Sequence, residues 1–273
     1  MNGTPTLVGV PYDAGSSFMR GAAAAPPVIR EALMSSATNR WSEGLLDTGA
    51  PGVMSDAGDL VLSNSRGALQ KVEEELLQLL GDRRRPIVLG GDHSTSYASI
   101  RAVRQHTPKL TVLQFDAHPD LYPEFEGRRD SHACQFAHLL EERCIDQLVQ
   151  VGIRTMNDVQ HLQAERFAVE VIDMQRWAAG DRAYTLQHPV YVSIDVDVFD
   201  PAFAPGVSHR EPAGLDLRTV LTAIESIDQP IVGADIVEFN PSRDPVGLTA
   251  PLCAKLVKEL VAAMMKRTSA LDA

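Results

Sequence analysis

Two short segments carry side chains whose types and spacing suit metal chemistry: Asp116-Ala117-His118-Pro119-Asp120 and Ser193-Ile194-Asp195-Val196-Asp197. Each closes an apolar run of β character, 110–115 and 189–194. Alternate residues of an extended chain share a face, so Asp116, His118 and Asp120 are expected to converge, as are Asp195 and Asp197. Four carboxylates and an imidazole at strand ends are poor packing material, because a buried unpaired charge costs several kcal/mol or more. A divalent metal removes that cost. A third segment, Gly90-Gly91-Asp92-His93-Ser94, closes the run 86–89 and supplies a second imidazole.

Each motif alone is weak, since Gly-Gly-Asp-His also reads as a simple turn. Together His93, Asp116, His118, Asp120, Asp195 and Asp197 make a set that two cations about 3.5–4 Å apart can share. Four aspartates balance two divalent ions. The oxygen-rich, thiolate-free set favours Mn²⁺ or Mg²⁺, and the two imidazoles favour Mn²⁺, so two Mn²⁺ per chain are expected. Asp92 and Asp200 read as turn or supporting residues.

The elements that must position these groups alternate along the chain. Runs at 6–10, 86–89, 110–115, 147–152, 168–173, 189–194 and 230–237 read as strands. Segments at 26–34, 68–80, 95–105, 133–142, 156–165, 217–226 and 250–266 read as helices, that at 68–80 with Leu69, Val72, Leu76, Leu77 and Leu80 on one stripe. This alternation predicts an α/β fold, a single three-layer α/β/α domain over 1–273 with a mainly parallel central sheet. Ligands of such sheets bind beyond the carboxyl ends of the strands, where all three motifs fall.

The chain has 273 residues, 44% of them hydrophobic and 22% charged, enough for a substantial core. With 25 Lys+Arg against 36 Asp+Glu the net charge is −11. That excludes a general nucleic-acid binder and suits a cationic substrate. Three cysteines, Cys134, Cys144 and Cys253, without CxxC spacing read as reduced thiols. The opening residues lead into a strand without a signal-peptide pattern, and no apolar run approaches the roughly 20 residues of a spanning helix. A cytoplasmic protein with no membrane and no nucleic-acid partner is expected.

The motifs resemble those of the arginase/agmatinase (ureohydrolase) family: Gly90-Gly-Asp-His-Ser94, Phe115-Asp-Ala-His-Pro-Asp120 and Ser193-Ile-Asp-Val-Asp-Val-Phe-Asp-Pro201. The resemblance runs from Val10-Pro-Tyr-Asp13 to Asp235-Ile-Val-Glu-Phe-Asn-Pro241 and covers nearly the whole chain. It implies an arginase-like fold and the six manganese ligands just named, with Asp116 and Asp195 shared between the ions. It also implies that Asp120 takes up the proton of the nucleophile, that His132 in Asp130-Ser-His-Ala-Cys134 shuttles protons, and that Glu238 faces the guanidinium. On the residues alone, His132 would otherwise be a surface histidine and Glu238 a member of a surface ion pair. His209 and Glu211 are placed near the pocket, whereas His106, His138, His161 and His188 read as structural and Cys134 as a packing thiol.

The resemblance implies hydrolysis of a guanidino compound to urea and an amine by a homo-oligomer, trimer or hexamer. The segment 121–131 is read as closest to agmatinases, with Glu124, Glu126 and Glu211 suited to the ammonium of agmatine. Arg128 and Arg129 leave room for a carboxylate-bearing substrate such as guanidinobutyrate. Arginase or formiminoglutamase activity on the same scaffold remains an alternative. So do a two-metal phosphoesterase and a metal-binding oligomer without catalysis.

Overall fold

The computed structural model describes residues 3–62 and 67–266. The ends of the expected 1–273 domain, with Met1 and Asn2 of the opening segment, lie outside the described residues.

Eight strands form one sheet. They are β1 (Thr4–Gly9), β2 (Ser55–Asp59), β3 (Arg84–Leu89), β4 (Thr111–Phe115), β5 (Gln147–Val151), β6 (Glu170–Ile172), β7 (Val190–Asp195) and β8 (Ile231–Val237). Their order is β2-β1-β3-β8-β7-β4-β5-β6, and every pair is parallel. The alternation of each strand divides the core. Leu7, Ile87, Leu89, Leu113 and Phe115 face α1 (Ala25–Leu33), α7 (Leu217–Ser226) and α8 (Thr249–Lys266). Val8, Val88, Val112, Leu148 and Tyr191 face α2 (Ala68–Gly81), α3 (Thr95–His106), α4 (Gln135–Glu141) and α5 (Asp158–Arg166). This is the expected three-layer α/β/α arrangement, and the helices begin and end within a few residues of the expected bounds.

Three departures are seen. The edge strand β2, Ser-Asp-Ala-Gly-Asp, has no apolar alternation and is mostly exposed; its pairing with β1 is accompanied by Arg30, which binds Asp56 and Asp59. The five-residue α6 (Met174–Ala178) is set by a local cap, the Asp173 carboxylate accepting from Arg176 N at 2.8 Å. On α2 the buried stripe is Ala68, Val72, Leu76, Leu79 and Leu80, while Leu69 and Leu77 flank it half-buried. No described helix is long and apolar enough to cross a membrane.

The strand order explains why distant motifs meet. β3, β8, β7 and β4 are consecutive in the middle of the sheet, and their ends lie in register: Leu89 beside Ile236, Asp195 beside Val237, Phe115 beside Ile194. Strands are about 4.8 Å apart, so the residues just past these four ends crowd into one patch. Gly91 sits where three segments cross: its neighbour Asp92 N donates to Tyr12 O at 2.9 Å, and Glu238 N donates to Gly91 O at 2.8 Å. A Cβ on Gly91 would lie 1.7 Å from Tyr12 O. Gly91→Ala should therefore destabilise the protein by about 3 kcal/mol, the upper range for overpacking, with a lowered denaturant midpoint as the measurement.

Candidate metal centre and active site

His93 stands in the turn between β3 and α3, fully buried. Its Nδ1 lies 3.0 Å from Asp116 Oδ2, 3.0 Å from Asp120 Oδ2 and 3.3 Å from Asp195 Oδ2. Its Nε2 lies 3.0 Å from Ser193 Oγ, which donates to Asp235 Oδ1 at 2.7 Å; Tyr191 OH donates to the other oxygen at 2.8 Å. Because the serine proton is committed to Asp235, Ser193 accepts from His93, and the ring proton is on Nε2. The Nδ1 lone pair then points at three carboxylate oxygens and has no hydrogen-bond partner. In the neutral ring acceptor faces acceptor, a repulsion that either a proton on Nδ1 or a cation among these atoms removes.

His118 forms a second focus, with Nδ1 3.0 Å from Asp197 Oδ2 and 3.6 Å from Asp116 Oδ1. There are thus two trios, His93/Asp116/Asp195 and Asp116/His118/Asp197, and within each the donor atoms lie within 4.8 Å of one another. Asp116 is common to both. The donor chemistry fits two hard or borderline cations.

Turns rather than extended strands bring the ligands together. Val196–Val198 is one turn of 3₁₀ helix, and Asp195 Oδ1 caps it by accepting from Asp197 N at 2.8 Å. Asp116 Oδ1 accepts from His118 N at 2.7 Å, and Asp197 Oδ1 accepts from Ala117 N at 3.1 Å. Beneath them Gln114 Nε2 donates to Asp116 Oδ2 at 2.7 Å, and is itself backed by Gln150 Nε2, which donates to Gln114 Oε1 at 2.7 Å. Asp120 and Glu238 hold positive φ, 53° and 64°. Left-handed backbone at two non-glycine residues costs of order 1–3 kcal/mol each, and both residues lie in this patch.

Glu238 is buried, not a surface ion-pair member. Its Oε1 accepts from His93 N at 2.9 Å and faces His132 Nδ1 at 2.7 Å. His132 Nε2 meets Ser17 Oγ at 2.8 Å, a hydroxyl that can accept from it or donate to it. Burial would depress the His132 imidazole; the Glu238 carboxylate, helped by Asp120 and Asp92, overrides this and lifts it to about 9. Asp120 is raised by burial and by the neighbouring Asp116. Asp92 turns toward Ser94 and Ser16, and Asp200 caps the loop through Ala202 N and Ala213 N, the supporting roles expected of both.

Above the acidic patch opens a cavity of about 190 Å³. Its inner end carries His118, Asp120, Asp195, Asp197 and Glu238; its outer wall carries Ser17, Tyr122, Phe125, Thr155, Gln160 and His209. His209 packs between the rings of His118 and His132, at 5.7 and 5.3 Å. His132 also lines the cavity, and among the described residues no lysine or arginine does. Glu124 and Glu126 are exposed and outside it, which corrects their expected place at the substrate. Glu211 stays at 3.8 Å from His118 Nε2 without lining the cavity. Arg128 is engaged by Ala14 O and Asp130, Arg129 by His138, and Arg210 by the carbonyls of Pro205 and Arg243. None of these three arginines lines the cavity, where a phosphate would need them.

Several residues escaped the sequence reading. Gln114 was signalled by its presence inside an apolar strand, and Ser193 and Asp235 stood within quoted motifs. Nothing singled out Gln135, whose Nε2 donates to Asp120 Oδ2 at 2.6 Å, or Arg154. The Arg154 guanidinium spans the carbonyls of Asp197 at 2.6 Å and Glu211 at 2.8 Å. All three cysteines are unpaired, and burial pushes the Cys134 thiol up to about 12.

A model of the arginase family matches residues 4–263. Arginase 1, mitochondrial, of Arabidopsis thaliana is 44% identical over 96% of this chain and 81% of its own. The agmatinase of Halalkalibacterium halodurans is 30% identical over 93% of this chain and 90% of its own. Arginase from Medicago truncatula superposes with a TM-score of 0.91 at 41% identity, covering 96% of this chain and 88% of that one. The mitochondrial name of the Arabidopsis relative overturns the expectation of a cytoplasmic protein. A missing signal-peptide pattern bears on the secretory address alone.

Protons and cations compete for the same atoms here. Against the opposing effect of burial, Asp116, Asp120 and Asp195 raise His93 well above its usual value, and Asp197 and Asp116 do the same to His118. Burial, with Asp197 and Asp116, also raises Asp195. Raised values mean that the metal-free site keeps its protons to higher pH than free side chains do, and these must leave as cations enter. Apparent metal affinity should rise with pH, with net proton release at pH 7 in calorimetry across buffers of different ionisation enthalpy. A pH-independent affinity would contradict this.

Proposed function

The chain belongs to the arginase family, whose members are metal-dependent ureohydrolases, and on that premise we propose that it holds two Mn²⁺ ions and hydrolyses L-arginine to urea and an amino-acid amine. The observation that carries the metal reading is the His93 Nδ1 lone pair, aimed by Ser193 and Asp235 into three carboxylates. His93, Asp116, Asp120 and Asp195 would hold one ion, and Asp116, His118, Asp195 and Asp197 the other. We read the chain as one ureohydrolase domain within a homo-oligomer, trimer or hexamer, as the family resemblance implies.

When bound, the ions supply Lewis acidity and make water acidic enough to attack at neutral pH. The residues do the rest. Glu238, with Oε1 engaged by His93 N and His132, orients the planar guanidinium through charge-assisted hydrogen bonds. Asp120 takes the proton released as water's oxygen bonds to the guanidino carbon. It returns that proton to the amine nitrogen as the carbon–nitrogen bond breaks, leaving urea. His132, placed between Glu238 and Ser17 at the cavity wall, exchanges the remaining proton with solvent.

Arginine is favoured by the name of the 44% identical relative. One observation favours agmatine as a second reading: no lysine or arginine lines the cavity to meet a substrate carboxylate. The acids Glu124 and Glu126 no longer support it. Urea release from Mn²⁺-loaded protein should be compared for arginine, agmatine, guanidinobutyrate and guanidinopropionate, with formamide release measured for formiminoglutamate. The reading expects the highest kcat/KM with arginine. A higher value with agmatine moves the substrate but keeps the chemistry, and no urea from any of them refutes both.

His132→Ala should leave metal content intact and lower kcat by about 10²–10⁴-fold, the usual worth of a general acid–base group. Metal analysis beside steady-state kinetics decides it, and unchanged kcat would make His132 a structural residue.

A further inference from the structure

We propose that Gln135 is a positioning residue that divides the labour of the two Asp120 oxygens. The inference rests on the reading of Asp120 as both a metal ligand and a proton acceptor. A carboxylate with two such tasks needs its oxygens told apart, because a side chain that rotates about χ2 presents either oxygen to either partner. Asp120 sits on left-handed backbone at φ 53°, beyond the end of any strand, where the ladder does not fix it.

The described contacts of its carboxylate all fall on one oxygen. Oδ2 lies 3.0 Å from His93 Nδ1, on the metal side, and the same Oδ2 accepts from Gln135 Nε2 at 2.6 Å. No hydrogen bond among the described residues reaches Oδ1, and Asp120 lines the substrate cavity. Gln135 thus pins the ligand oxygen and leaves its twin for the proton. A carboxylate accepts only, so the glutamine amide must turn its nitrogen toward Asp120. The donated bond favours the ionised form that ligation needs.

Gln135 is well placed for this. It is buried, opens α4, and follows the turn in which Cys134 N donates to Ser131 O. The segment 131–135 therefore carries His132 to Glu238 and Gln135 to Asp120. One short stretch of backbone sets both groups that are to handle protons, and a shift in it would move them together.

The test is Gln135→Met, which keeps the length of the side chain and removes the donor, read alone and combined with Asp120→Asn. Partners that orient metal ligands are typically worth 10–100-fold. Gln135→Met should weaken Mn²⁺ binding about tenfold in competition with a chelator and lower kcat about tenfold at saturating metal, with KM within about twofold. If Gln135 acts through Asp120, adding Gln135→Met to Asp120→Asn should change metal affinity by less than about twofold. Gln135→Leu, read the same way, guards against a packing fault in one variant, and metal-free thermal unfolding identifies any that do not fold. Wild-type metal affinity and kcat in a folded variant, or losses that add to those of Asp120→Asn, would overturn the proposal. Failure of every form to release urea would refute the functional reading, while the metal-affinity cycle would still judge Gln135.

Discussion

Repulsion among buried carboxylates is the constraint around which the rest is arranged. Asp116, Asp120, Asp195 and Asp197 lie on the ends of two adjacent strands, β4 and β7, with Glu238 beyond the end of β8 next to them. Such a group opposes folding unless something positive holds it. The protein spends backbone N–H groups on it, from His118, Ala117 and Asp197, and amides from Gln114 and Gln135. These donors satisfy part of each carboxylate and leave the remaining lone pairs directed inward. A neutral His93 cannot relieve the charge as a donor, because its one ring proton, on Nε2, is directed at Ser193, away from the carboxylates. Only protons or cations can complete the cluster, so loading and proton balance are one equilibrium.

The layers and the convergence of the acidic and imidazole groups were both legible in the sequence, and for the same reason. Parallel strands buried on both faces are long apolar runs, and a polar residue at the end of such a run stands out. What could not be read lacks that contrast. The edge strand β2 is polar on polar and exists through pairing with β1 and through Arg30. The five residues of α6 are too few to show a period. Glu124 and Glu126 were assigned to the substrate by charge alone, and charge does not say which way a loop turns them. Gln135 is a helix-opening residue of ordinary type, and its partner lies across a turn whose shape the sequence does not disclose. The convergence of Asp195 with Asp197 was expected for a good outcome and a wrong reason, since a 3₁₀ turn, not an extended strand, provides it.

Backbone strain marks the division between scaffold and chemistry. The candidate ligands Asp116, His118, Asp195 and Asp197 all have ordinary backbone, whereas Asp120 and Glu238 are left-handed. Those two are the carboxylates assigned to the reacting groups rather than solely to the ions. Each is held by bonds from other segments, Glu238 by His93 N and His132, Asp120 by Gln135. The cost of the conformation is met by contacts that also aim the side chain.

Arg154 joins two parts of the molecule that need not have moved together. Its guanidinium binds the Asp197 carbonyl beside a candidate ligand and the Glu211 carbonyl on the loop that carries His209 over the cavity. The cavity wall that carries His209 is therefore fastened to the acidic floor that carries Asp197. One guanidinium thus gives floor and wall a common anchor. Changes of substrate preference then belong to the side chains that face inward from that frame, Tyr122, Phe125, Gln160 and His209, more than to the reach of the loops.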